Sequence, residues 1–108
     1  MSKSTWKAIE RKVAKFFGVG RNPLSGGNGK HTRSDTLHPV LFVEVKYRPT
    51  HSAVTLWRQT SVKAKEEKKI PVVVLSEKGK TGFWVMCHSS DLIAVAQERT
   101  NVKNSTGA

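Results

Sequence analysis

Glu44 and Lys46 stand two residues apart in Val40-Leu41-Phe42-Val43-Glu44-Val45-Lys46-Tyr47, an apolar and β-branched run. As a strand, this run puts both charges on one face, ~6.6 Å apart along the chain, and turns Val43, Val45 and Tyr47 the other way as core. A charge pair in mid-strand sits either at the wet face of a sheet or at a reactive site, because unprotected charge is costly in a core. Asp35, within Thr32-Arg33-Ser34-Asp35-Thr36-Leu37-His38-Pro39, supplies a second carboxylate. The eight residues between Asp35 and Glu44 permit a tight hairpin that brings both acids to the same end of a sheet. Carboxylates gathered this way are the hard oxygen donors that Mg2+ takes, and a lysine beside them can stabilise charge developing on a reacting anion.

Elements that would hold these groups are legible around them. Residues 5 to 17 have helical spacing, with Trp6, Ile9, Val13, Phe16 and Phe17 on one side and Lys7, Arg11, Lys12 and Lys15 on the other. Ser4 or Thr5 would cap this helix and Gly18 would end it. Glu10 falls at the border of the apolar stripe. On its own residues it reads as a partner for neighbouring lysines, an interaction of only tenths of a kcal/mol, roughly 0.2–0.5. Residues 18 to 33 contain five glycines, a proline and the basic or imidazole side chains of Arg21, Lys30, His31 and Arg33. Such a loop can approach a phosphate backbone closely, or it can be simply solvated; it lacks the P-loop spacing. His38-Pro39 reads as the turn that feeds the 40–47 strand, with His38 more naturally a turn residue than a ligand.

After Arg48-Pro49, Thr50 or Ser52 would cap a helix over about residues 53 to 69. Ala53, Leu56, Trp57, Thr60 and Ala64 make its inner face, Gln59 is exposed, and Arg58, Lys63, Lys65, Lys68 and Lys69 make the remainder basic. The continuous run Ile70-Pro71-Val72-Val73-Val74-Leu75 reads as a strand buried on both faces and parallel to a neighbour. Glu77-Lys78-Gly79-Lys80 is a hairpin turn, and residues 82 to 87 alternate as another strand. Ser89 or Ser90 would cap a short helix, Asp91 to Ala96, and residues 98 to 108 form a polar, disordered tail after a single domain of residues 1 to 97. The order predicts an α/β sandwich whose mixed central sheet contains a βαβ crossover.

Composition narrows the partner. Lys and Arg number 19 against 8 Asp and Glu, a formal charge of +11, which predicts an anionic partner and nucleic acid first among them. No long apolar segment, signal peptide or lipidation pattern points to a membrane, so a soluble, cytoplasmic protein is expected. The lone Cys87 excludes an intramolecular disulfide and reads as a small buried hydrophobe. Cysteine and histidine lack zinc-ligand spacing. Trp6, Trp57 and Trp84 are expected in the core rather than stacked on bases. Lysines 63 to 69 form either a solvated face or, better suited to this net charge, a phosphate track.

A helical Glu10, a glycine-rich basic loop, Asp35, the Glu44-Val45-Lys46 strand, a helix and an apolar strand follow one another in the order seen in small PD-(D/E)xK endonucleases. Over residues 6 to 95 the chain most closely resembles the Holliday junction resolvases of archaea and their phage-encoded relatives. The resemblance implies a restriction-endonuclease-like sandwich and a catalytic set of Glu10, Asp35, Glu44 and Lys46. Asp35, Glu44 and the backbone carbonyl of Val45 would hold Mg2+, for which Mn2+ can substitute, with Glu10 as a further acid near the metal. Lys46 would position and help activate the attacking water. Ser25-Gly26-Gly27 resembles the serine-glycine loop that lies near the scissile strand, and Arg21, Lys30, Arg33, Arg48, Arg58 and Lys63 are the expected DNA contacts. A departure from the family pattern is that Thr36, His38 and Pro39 follow Asp35 where an apolar strand is usual, which truncates the second strand.

The chemistry fits on its own terms. Phosphodiester hydrolysis brings an anionic nucleophile to an anionic centre, which a hard cation assists by neutralising charge and acidifying bound water. Three of the eight acidic residues fall in this set, a placement that solubility does not explain in so basic a chain. The expected activity is a structure-specific DNA endonuclease, a homodimer because a resolvase cuts two strands symmetrically, working in a bacterial or phage-infected cytoplasm. A nicking or homing endonuclease on linear duplex and a non-catalytic basic nucleic-acid-binding module are the alternatives. In the last of these, Glu44 and Lys46 are only a surface ion pair.

Overall fold

The computed structural model describes residues 3–23 and 32–106, with side chains from 5 to 101 in that range. The contacts divide the chain into two compact units, Met1–Pro49 and Thr50–Ala108, each described by itself.

The first unit opens with α1 (Lys3–Phe16), as its apolar spacing predicts. The helix stops at Gly18, whose φ of +75° is open to glycine at little cost. The Gly18 N–H donates to Lys15 O at 2.9 Å and the Val19 N–H to Ala14 O at 3.0 Å, the paired closure of a Schellman motif. The inward side of α1 differs from the expected stripe. Glu10 and Ala14 are its buried residues, Ile9, Val13 and Phe17 are half-buried, and Trp6 and Phe16 are exposed, with Phe16 packed edge-on against Phe17.

Beyond the helix, residues 20–22 run antiparallel to 35–37 through an Arg21–Thr36 bridge. The Leu37 N–H donates to Gly20 O at 2.9 Å and the Asn22 N–H to Asp35 O at 3.0 Å. On the other side, the Asp35 N–H donates to Val43 O at 2.8 Å. The 40–47 run is therefore extended beside Asp35, but it is not the regular strand expected. The Ser34 hydroxyl accepts the Val43 N–H at 2.7 Å and donates to Val43 O at 3.0 Å, so one side chain takes the N–H that a ladder would use and shares the carbonyl with the Asp35 N–H. The alternation survives in part: Val43 and Val45 are half-buried and Glu44 and Lys46 exposed, while Val40, Leu41, Phe42 and Tyr47 are exposed as well.

The second unit carries α2 (Ser52–Glu66), β1 (Val73–Leu75), β2 (Trp84–Met86), a 3-10 turn at Ser89–Asp91 and α3 (Leu92–Thr106). α2 begins after His51 without a side-chain cap, so neither Thr50 nor Ser52 serves as expected. Gln59 is exposed, and of the inner face Leu56 is exposed while Ala53, Trp57, Thr60 and Ala64 are half-buried. β1 and β2 pair antiparallel, Val73 with Met86, Val74 with Val85 and Leu75 with Trp84.

Among the described residues this pair is the only sheet, so the expected mixed sheet and βαβ crossover give way to a local hairpin. Its turn lies where predicted: the Lys80 N–H donates to Glu77 O at 3.2 Å, and Gly79 and Gly82 take positive φ. Local reversal leaves β1 buried only at Val73, with Val74 and Leu75 exposed, where the apolar run predicts burial on both faces. Trp84 is exposed, and the free Cys87 is half-buried rather than buried. His88, not a serine, caps the 3-10 turn by accepting the Ser90 N–H. α3 runs to Thr106 where a disordered tail is expected, because Ala94, Ala96, Gln97, Glu98 and Arg99 are good helix formers and Glu98 accepts a side-chain bond from Asn101.

Candidate functional site

The interior of the first unit is polar. Glu10, Asn22, Ser34, Asp35 and Thr36 are buried there, against Ala14 as the one buried apolar residue among the described residues of that unit. Buried polar groups are costly without partners, and these have them. The Asn22 amide donates to Thr32 O at 3.1 Å and Ser34 O at 2.9 Å, which clamps the chain on its way into Asp35. Ser34 then fixes Val43, and one carboxylate oxygen of Asp35 accepts the Val45 N–H at 2.6 Å. Asp35 and the Glu44-Val45-Lys46 segment are thereby held side by side, although the strands that should align them are short.

Glu10 is wholly buried, as its place at the border of the apolar stripe allows, rather than exposed beside the lysines of its own helix. The Arg21 Nε–H donates to its Oε1 at 2.7 Å, and the guanidinium also lies 5.9 Å from the Trp6 ring centroid. Arg21 is expected at the DNA backbone, yet its side chain is turned onto Glu10 and only 15% exposed. Because the Arg21 backbone bridges Thr36, this pair ties α1 to the residue beside Asp35.

Glu44 and Lys46 share a face as their spacing predicts, with Nζ to Oε1 at 3.2 Å and side chains 63% and 57% exposed. An exposed pair of this kind contributes at most about 1 kcal/mol to stability. His38 is a turn residue: its Nδ1 accepts the N–H groups of Val40 at 3.0 Å and Leu41 at 2.9 Å. Arg33, Arg48, Arg58 and Lys63 are exposed, whereas Ser25, Gly26, Gly27 and Lys30 fall outside the described residues.

Among the described residues no three of His, Cys, Asp and Glu gather at a spacing that could hold a metal ion, so Glu10 is not brought to Asp35 and Glu44 as a third ligand. The smaller set of Asp35, Glu44 and the Val45 carbonyl offers only hard oxygens, and Asp35 already reaches the Val45 backbone, a donor chemistry that suits Mg2+. Sequence reasoning missed Asn22 and Ser34, whose side chains do the aligning. The only signal for either is a short polar residue beside a proline or an acid, which also describes ordinary turns. In comparisons with known proteins, no family model, no curated protein and no solved structure matches the chain.

Proposed function

We propose that the chain is a metal-dependent endonuclease that hydrolyses phosphodiester bonds in branched DNA. The observation that carries this reading is the burial of Asp35 against the Glu44-Val45-Lys46 segment in a chain of net charge +11. A basic protein that only binds DNA has little use for a buried carboxylate beside an exposed one. Asp35, Glu44 and the Val45 carbonyl would hold Mg2+, or Mn2+ in its place, which supplies charge neutralisation and an acidified water when bound. Lys46 stabilises the negative charge that builds on the phosphate, and Glu44 keeps its ammonium in position. Glu10 and Arg21 act through packing, holding α1 and the 20–22 segment against Thr36. The exposed Arg33, Arg48, Arg58 and Lys63 meet the DNA backbone, and a two-fold dimer in the cytoplasm pairs two such sites for symmetric cuts. No helix of the described residues is long and apolar enough to cross a membrane.

The exposure of the Glu44–Lys46 pair favours a second reading, a basic binding module with a surface ion pair. A labelled four-way junction beside matched linear duplex and single strand, incubated with Mg2+ or with chelator, separates the two. Paired nicks near the branch point that require metal are expected. Glu44→Gln should then lower cleavage by at least 100-fold, on the order of 3 kcal/mol of lost transition-state stabilisation, and leave binding intact. Equal cutting of linear duplex moves the role to nicking or homing, and binding without cutting in either metal leaves the binding module.

A further inference from the structure

A cavity of about 770 Å³ opens in the second unit. Arg58, Lys65, Lys68 and Lys69 line it, against Asp91 as its one carboxylate. Lys69 is paired with Glu67 at 2.9 Å, but among the described residues no carboxylate pairs with Arg58, Lys65 or Lys68. Cations near the end of α2 offset the negative end of the helix dipole, which gives Lys65 and Lys68 a structural role but not Arg58. Arg58 lies two turns earlier, and Lys68 lies past the helix with φ +57°, a position that glycine would occupy without strain. Lys68 thus places a cationic residue on the cavity lining at a position where glycine would close the helix with less strain.

Beside these cations the lining is apolar and aromatic, with Trp57 on the same face of α2 as Ser61 and Lys65. Trp57 and His88 stand with ring centroids 5.7 Å apart and planes 33° from parallel, flanked by Pro71 and Met86. We infer that this cavity binds an unpaired nucleotide of single-stranded DNA, with the phosphate on Arg58, Lys65 and Lys68 and the base against Trp57. The size is within the roughly 300–1,000 Å³ of small-ligand sites. A duplex backbone would meet the cations but bring no base to the indole, whereas a single strand offers both at nucleotide spacing. This inference rests on the reading of the chain as DNA-binding and is independent of cleavage. It adds a preference within branched DNA, for branches that carry unpaired nucleotides.

The test is fluorescence anisotropy of labelled oligodeoxythymidine and of a matched duplex, in chelator so that nothing is cut, across a salt series. Lys65→Ala/Lys68→Ala, both exposed, should weaken single-strand binding about tenfold and reduce the slope of log K against log salt by about 1.4, two contacts at ~0.7 each. Duplex affinity should fall less. With Trp6→Phe/Trp84→Phe leaving Trp57 as the sole tryptophan, oligodeoxythymidine should quench its emission and heparin should not. Unchanged single-strand affinity and slope in the double variant overturn the inference. So does equal loss on duplex, or an unquenched Trp57, which leaves a general polyanion patch. A chain that never cuts a junction but shows these effects loses the nuclease reading alone. One that cuts, with the lysine variants binding as wild type, loses only this one.

Discussion

At the scale of single residues, Glu10 and Arg21 have the most at stake. The carboxylate is fully buried and the guanidinium nearly so, so Coulomb attraction between them must offset the removal of both charges from water. Removing one partner is the damaging change. Arg21→Met leaves the Glu10 charge in the interior without its guanidinium and is expected to cost about 3 kcal/mol in urea unfolding. Glu10→Gln/Arg21→Met removes the charge as well, and should recover most of that loss. If the losses of Glu10→Gln and Arg21→Met alone simply add in the double variant, the pair contributes no coupling. The buried pair itself explains why the role of Arg21 was not legible beforehand. A basic residue in a glycine-rich loop reads as a phosphate contact, and only the eleven-residue return of the chain to α1 turns it into the counterion of an acid.

At the scale of elements, two helices end by the same device with different residues. Gly18 closes α1 and Lys68 closes α2, each with paired bonds back to the last turn. Gly18→Ala should lower stability by about 1 kcal/mol, and Lys68→Gly should raise it by up to ~1 kcal/mol, both read as shifts in thermal midpoint. A destabilised Lys68→Gly would mean that the lysine side chain supports the fold itself. Helices were the legible elements because their apolar spacing and glycine stop are local signals. The extended segments were not, since a strand depends on a partner that periodicity does not specify. Val40 to Tyr47 is rich in strand-favouring residues, yet Ser34 takes the Val43 N–H by its side chain and the ladder goes no further than the Asp35 N–H on Val43 O. The run 70–75 reads as doubly buried, and an eight-residue reversal from Leu75 to Trp84 gives it a hairpin partner instead. In the candidate site, likewise, residue types and the shared face of Glu44 and Lys46 were readable, whereas the alignment made by Asn22 and Ser34 was not.

At the scale of the whole molecule, two associations are expected and they answer to different forces. DNA binding by a chain of charge +11 is driven by release of counterions, so its affinity should fall steeply with salt, by a power of about 0.9 for each duplex phosphate neutralised. Pairing of two chains for symmetric cutting needs apolar surface instead. Each unit exposes some: Val40 and Phe42 in the first, Phe83, Trp84 and Ile93 in the second. Burying such side chains between copies does not weaken with salt, and excluded salts strengthen it. Sedimentation equilibrium of the DNA-free protein is therefore expected to give twice the chain mass at both low and high salt, while the anisotropy of bound junction falls across the same series. A mass that drops to one chain at high salt would assign the contact to charge. A single-chain mass at every concentration would remove the two-fold arrangement on which symmetric cleavage depends, and would leave an enzyme that nicks one strand at a time.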